Sequence, residues 1–238
     1  MRFATRADKD QVEAICNHPQ LRVWTAFPGA PLCNAERYLT APSFVVLGEH
    51  GCFLAHWISS GRFVVHTNLL PTCRGSKAVR VAHEALRMAF IQTECMELVT
   101  MVPLGIPQAG FMARLMGFRP VFKREHLWPT EAGRDPVTFY SLTIDDWIAT
   151  GACVSSGKWF HEKLGPDHED DEIHDAYVGA AVEMVKAGKM GKAIEVYNRW
   201  AVFAGYQTIR MIDSERIDIG SHVLRVEEGD FNVEAVHA

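Results

Sequence analysis

The chain has 238 residues, 48% hydrophobic and 22% charged, with a formal net charge of −5. That composition can bury a real core and excludes a disordered chain, and the acidic balance argues against a general nucleic-acid binder. No apolar run approaches the ~20 residues of a bilayer-spanning helix, Met1–Asp10 lacks a signal-peptide core, and six scattered cysteines without CxxC spacing read as reduced thiols of a cytoplasmic protein rather than a metal site.

Taken in order, Arg6–Cys16 is predicted to be a helix, with Val12, Ile15 and Cys16 on one face. Asn17–Pro42 is rich in turn residues. Three strands are predicted next, Ser43–Leu47, Cys52–Ile58 and Arg62–Leu69, joined by short glycine-containing hairpin connections. Ser76–Phe90 is a helix on the spacing of Ala78, Val81, Ala82, Ala85, Leu86 and Ala89. Leu98–Val102 is a short strand, and Pro107–Met116 a helix ending at Gly117. Arg119–Leu127 and Val137–Thr143 are a last strand pair, connected through Trp128–Pro136.

The character changes near Asp145, which predicts a boundary between residues 1–145 and 146–238. In the second part, an acidic run at Asp167–Glu172 precedes a helix over Asp175–Ala187, suiting the positive end of its dipole. A second helix, Lys192–Ala204, closes at Gly205. Short β-like runs follow at Thr208–Ile212, Val223–Glu227 and Phe231–Val236.

The segment after the third long strand carries most of the chemistry. Leu69-Leu-Pro-Thr-Cys-Arg-Gly-Ser-Lys-Ala78 leads from a buried strand into a helix. A helix start leaves backbone N–H groups unpaired beside a partial positive charge, so such a turn suits a phosphate. Gly75 allows close backbone approach, and Arg74 and Lys77 add positive charge. An ordinary strand-to-helix turn with solvated basic residues fits the same letters.

That turn, together with Ala109-Gly-Phe-Met-Ala-Arg-Leu-Met-Gly-Phe118 and the element order, resembles the GCN5-related N-acetyltransferase superfamily over about Met1–Ile144. The resemblance implies an α/β fold, a mixed and mostly antiparallel sheet flanked by helices, with a small α+β appendage behind it. It implies acetyl-CoA as acyl donor and an amine as acceptor. Backbone N–H groups near Leu69 and Leu70 would hold the acyl carbonyl, and the amides of Cys73, Arg74, Gly75, Ser76, Lys77 and Ala78 would cradle the pyrophosphate. The chain departs from the family pattern at Thr72, Lys77, Ile106 and Ala113; the last stands where a tyrosine often serves as the acid.

Val178–Met184 and Ala193–Tyr206 resemble a tail found on some bacteriophage proteins with such a domain. That implies, as an alternative, an inactive virion or interaction protein whose C-terminal segment meets other virion or host chains, in host cytoplasm or virion. A homo-oligomer fits either reading, and neither expects membrane, nucleic acid or metal.

His66, two residues before Asn68, is the candidate general base; a packed strand-face histidine is the competing reading. Cys73 beside a helix start is a candidate nucleophile without an adjacent base. His161, His168 and His174 lack metal-site spacing. Trp24, Trp57, Trp128 and Trp147 are expected in the core or at domain contacts. Tyr197, Trp200, Phe203 and Tyr206 are expected as a buried stripe, or as an exposed docking face.

Overall fold

A computed structural model of the chain describes residues 1–164, 171–219, 222–227 and 230–235. The chain divides into two compact units: Met1–Phe90 with Glu94–Ile144, and Ile91–Thr93 with Asp145–Ala238.

The first unit runs β1 (Arg2–Phe3), α1 (Lys9–Cys16), α2 (Pro19–Thr25), β2 (Phe44–Gly48), β3 (Gly51–Ser59), β4 (Arg62–Leu69), α3 (Ser76–Gln92), β5 (Glu97–Pro103), α4 (Pro107–Leu115), β6 (Arg119–Thr130) and β7 (Gly133–Thr143). Its seven strands lie in the order β1-β2-β3-β4-β5-β7-β6. Every pairing is antiparallel except β4 with β5, which is parallel and therefore needs α3 as its crossover.

Register and alternation assign the faces. Cys52 and Leu54 of β3 are buried with Val45 and Leu47 of β2 against Val12, Ile15 and Cys16 of α1 and Leu21 of α2. Leu54 stands opposite His66 and His56 opposite Val64, so both histidines share the α1/α2 face. Val46, Phe53, Ala55, Phe63 and Val65 point the other way and are equally buried. The crossover helix α3, with Ala82, Ala85, Leu86 and Ala89 buried, is the element left to cover them.

The second unit contains most of α5 (Ile144–Ile148), then α6 (Val154–Leu164), α7 (Glu172–Lys186) and α8 (Met190–Ala204), followed by β8 (Arg210–Met211), β9 (Arg216–Asp218), β10 (His222–Glu227) and β11 (Asp230–Ala235) in one antiparallel sheet. Asp171 caps α7, its carboxylate accepting from the N–H groups of Ile173 (2.9 Å) and His174 (3.3 Å). Gly205 ends α8 at φ +80°, as its position in the sequence predicts. Helices α6 and α7 cross very closely. A Cβ on Gly179 would overlap the Cys153 carbonyl oxygen, and one on Gly157 would overlap that of Asp175.

Several expectations are corrected. The turn-rich Asn17–Pro42 segment contains α2, started by Pro19 at its first position, where a missing N–H costs nothing. Helix α6, strand β1 and strand β9 are further elements that periodicity does not reveal. The expected Trp128–Pro136 connection is mostly paired strand: Trp128 stands opposite Asp135 and Thr130 opposite Gly133. Of the tryptophans expected inside, Trp147 is buried, but Trp24 is 50% and Trp57 43% exposed. The aromatic stripe of α8 splits. Trp200 stacks on Tyr177 (4.7 Å) and Tyr206 (4.9 Å), whereas Phe203 is 91% exposed. His168 and residues 167–170 of the acidic run lie outside the described residues.

Candidate functional site

The β4–β5 ladder is short. Only Arg62, Phe63 and Val64 pair, with Glu97, Leu98 and Val99. Strand β4 then continues to Leu69 and β5 to Pro103 without pairing to each other, so the sheet opens between their C-terminal halves. The Leu70 N–H donates to the His50 carbonyl on the β3 side at 2.9 Å. Alternation along an antiparallel ladder then turns the Leu69 N–H the other way, toward the opening. A carbonyl seated there would meet one backbone donor, from Leu69; the Leu70 donor expected beside it is already committed.

The turn beyond is built by its own hydrogen bonds. The Cys73 N–H donates to the Leu70 carbonyl (2.8 Å), and the Cys73 side chain is buried, so neither its amide nor its thiol faces a ligand. That removes Cys73 from the cradle and as a nucleophile. Arg74 also turns inward: its Nη1 donates to the carbonyls of Cys73 (2.9 Å), Leu70 (3.0 Å) and Leu69 (3.3 Å). It draws three carbonyl dipoles together and shields them from any anion in front of the turn. Gly75 follows at φ +58°, a conformation that disfavours a side chain, and no atom lies within 4 Å of where its Cβ would stand. The first α3 bond is Val79 N–H to the Gly75 carbonyl (3.2 Å), which leaves the N–H groups of Ser76, Lys77 and Ala78 without an intrahelical acceptor. The turn therefore offers the N–H groups of Ser76, Lys77 and Ala78, behind Gly75, to an anion. Lys77 and Arg80 line a hollow of about 550 Å³ together with Arg2, His50, Glu49 and Glu84, the last paired with the Met1 amino group.

On the α1/α2 face, His66 lies beside Tyr38 (ring centroids 6.4 Å) and Tyr38 beside His56 (5.8 Å). Tyr38 is buried, whereas His66 keeps an exposed edge. Dense protein behind that edge, then the charges of Arg37 and His56, push the His66 pKa down to about 4. The imidazole is neutral at pH 7. Arg37 is exposed, stacks over the Tyr38 ring at 4.6 Å and donates to its hydroxyl at 2.6 Å. On the opposite face Tyr140, paired with Thr100 just beyond the last β4–β5 pair, reaches α4. Its hydroxyl accepts from Arg114 Nη1 at 3.1 Å and lies 3.3 Å from where a Gly110 Cβ would stand. Ala113, at the position where the resemblance expects a tyrosine, is buried.

Sequence reasoning missed Tyr38, Arg37, His56 and Tyr140. Only strand alternation in β7 carried any signal for Tyr140. Among the described residues, no group of three His, Cys, Asp or Glu side chains is arranged to hold a metal ion. No described helix is long and apolar enough to cross a membrane.

No family model matches the sequence, and no curated protein matches it. Solved structures do. A spermidine N-acetyltransferase from Vibrio cholerae, in complex with CoA and spermine, matches at 14% identity and TM-score 0.52, over 62% of this chain and 96% of its own. Mutant forms of the spermidine/spermine N-acetyltransferase from the same organism match at 12% and 0.51, over 63% and 95%. A candidate phosphinothricin N-acetyltransferase matches at 16% and 0.50, over 60% and 96%. This chain carries the GCN5-related N-acetyltransferase fold. The splayed strands and the turn before α3 are the parts of that fold described above. Beyond the fold, the chain adds its second unit and its four-stranded sheet.

Proposed function

We propose that the first unit is an N-acyltransferase that takes an acetyl group from acetyl-CoA and places it on an amine. One observation carries this reading: the β4–β5 opening ends on an outward Leu69 N–H, next to a turn whose Gly75 faces open space and whose following amides lack intrahelical acceptors. The structures sharing the fold include one bound to CoA and an amine, which supports the same reading.

The residues present fit the coenzyme. Ser76, Lys77 and Ala78, behind Gly75, would hold the pyrophosphate through N–H groups at the positive end of α3. When bound, the coenzyme supplies an acyl carbon activated by a thiolate leaving group. The Leu69 N–H polarises the carbonyl oxygen and stabilises its developing charge. The amine nitrogen forms a bond to the carbonyl carbon as the C–S bond breaks. Its surplus proton leaves toward neutral His66, and the departing sulfur takes one in return. A base with a pKa near 4 is a weak final acceptor, so His66 passes the proton to water rather than keeping it. We assign Tyr140 as the proton donor to sulfur, since Arg114 donates to its oxygen and leaves its own O–H proton to give.

The alternative, a fold without chemistry in a virion or interaction protein, is favoured by one observation: the exposed Val202–Phe203 corner of α8, which would suit another chain. An assay that counts free thiol released from acetyl-CoA across a panel of primary amines separates the two. Amine-dependent thiol release supports the enzyme, and its absence across the panel supports the alternative.

A further inference from the structure

The α1/α2 face of the opening has a composition of its own. Given that α3 and its turn take the coenzyme from one side, an attacking amine must arrive from the other. That side presents His66, His56, Tyr38 and Arg37, with Met101 of β5 partly exposed on the same face. It is also roofed. The loop after α2, which packs on β4, reaches across to the hairpin, where Phe27 meets Trp128 edge-on at 6.0 Å.

Arg37 shares with Arg114 a bond to a buried tyrosine hydroxyl and differs from the arginines spent on carboxylates or backbone carbonyls. Arg2, Arg62, Arg199, Arg210 and Arg216 each pair with a carboxylate. Arg22 and Arg74 spend their donors on backbone carbonyls. Arg37 is exposed and held in place by a buried tyrosine, and among the described residues it has no carboxylate within ion-pair distance. Its contact with the tyrosine oxygen uses one edge of the guanidinium, and the rest of the donor fork stays open. A fork of that kind, fixed in direction, matches a carboxylate in two-point contact. The histidines add hydrogen-bond donors and no negative charge; Ser43 Oγ lies 3.4 Å from His56 Nδ1. Beyond the end of β5, the Asp135 carboxylate lies against Gly105.

We propose that the acceptor is an amine that also carries a carboxylate, an amino acid or a close relative, and that Arg37 binds the carboxylate and selects for it. This rests on the acyl-transfer reading above. A di- or polycation would bring like charge against Arg37, whereas an amino acid places its carboxylate on the guanidinium and its nitrogen toward His66. The transfer itself is unchanged: an N–C bond forms, the C–S bond breaks, one proton leaves nitrogen and one reaches sulfur.

The test uses the full chain and acetyl-CoA, with each L-amino acid paired against its own carboxamide and with 1,4-diaminobutane as the dication. Acetyl-CoA binding is measured calorimetrically on the same preparation. For the best acceptor the free carboxylate should exceed its amide by about 100-fold in kcat/KM, the scale of a two-point charged contact. Arg37→Met should bring that ratio below about 5 by raising KM more than it lowers kcat, and Arg37→Lys should fall between. Circular dichroism establishes that the variants are folded. A preference for the diamine, equal use of amide and acid, or a ratio indifferent to Arg37 would overturn the inference and leave acetyl transfer standing. Coenzyme binding with every amine inert would also overturn it. Absence of coenzyme binding would overturn both readings together.

Discussion

Gly75, in the turn before α3, and Gly179, in the middle of α7, stand under opposite constraints. Gly75 has a positive φ and nothing in front of it; Gly179 has ordinary helical geometry and a neighbouring carbonyl already inside the space of a side chain. The first belongs to a region that keeps backbone donors pointed outward and unpaired. The second belongs to a region that closes every gap, with Ser156 and Cys153 of one side reaching Glu183 of the other (2.5 and 3.7 Å) and His161 reaching Asp175 (2.8 Å). Exposed N–H groups are what binding an anion requires, and they contribute little to stability. The α6–α7 crossing shows the reverse investment, in which close approach and polar groups bonded from one side to the other hold one arrangement.

The comparison breaks most visibly at the crossing. Gly179→Ala must push two helices apart, and it should cost at least about 3 kcal/mol in urea unfolding, with Gly157→Ala close behind. A loss below about 1 kcal/mol would mean that the crossing gives way easily. In the open region the largest kinetic effect is expected at Tyr140. Tyr140→Phe should lower kcat about 100-fold, the usual scale for a positioned acid, while acetyl-CoA affinity stays near its original value. An unchanged kcat would hand the proton to solvent.

His66 sharpens the comparison through pH. Its folded pKa of about 4 lies below the ordinary value of 6.5, so the native state binds fewer protons than the unfolded chain between those limits. Stability is fully present above pH 6.5 and is lost as pH falls through about 4. His66→Gln should therefore flatten the change in urea midpoint between pH 7 and pH 5. A slope identical to the parent protein would place the acid sensitivity elsewhere. The smallest effect belongs to Phe203→Ser. With so exposed a ring, stability should move by no more than about 0.5 kcal/mol, and a larger loss would reveal contacts that the isolated chain does not show.

The elements that the sequence announced are those with a strong apolar signal. Strand β2 and the first half of β3 are continuous apolar runs buried on both faces, β2, β3 and β4 are separated by glycine turns, and α3 repeats alanine at helical spacing. Helix α2 escaped because Val23 and Trp24 face solvent, so no apolar stripe marks it. Helix α6 escaped because its closest packing is made by Gly157, with Phe160 as the one large apolar residue buried among its described side chains. The phosphate-type turn was legible in Arg74-Gly75-Ser76. Which of its amides remain available was not, because the bonds from Leu70 to His50 and from Cys73 to Leu70 exist only once the chain has folded. Tyr140 and Arg37 were hidden for a related reason: each meets its site from an element distant in sequence from the turn.

The account rests on the turn before α3 being a working coenzyme site. The most direct test is calorimetric titration of the full chain with acetyl-CoA, beside the Gly75→Glu variant. Glutamate there would strain a positive φ and set a carboxylate against the incoming phosphates. The account predicts micromolar binding to the parent protein, weakened about 100-fold or more in a variant that remains folded by circular dichroism. No heat from the folded parent protein at millimolar coenzyme, or equal binding by both proteins, would contradict it.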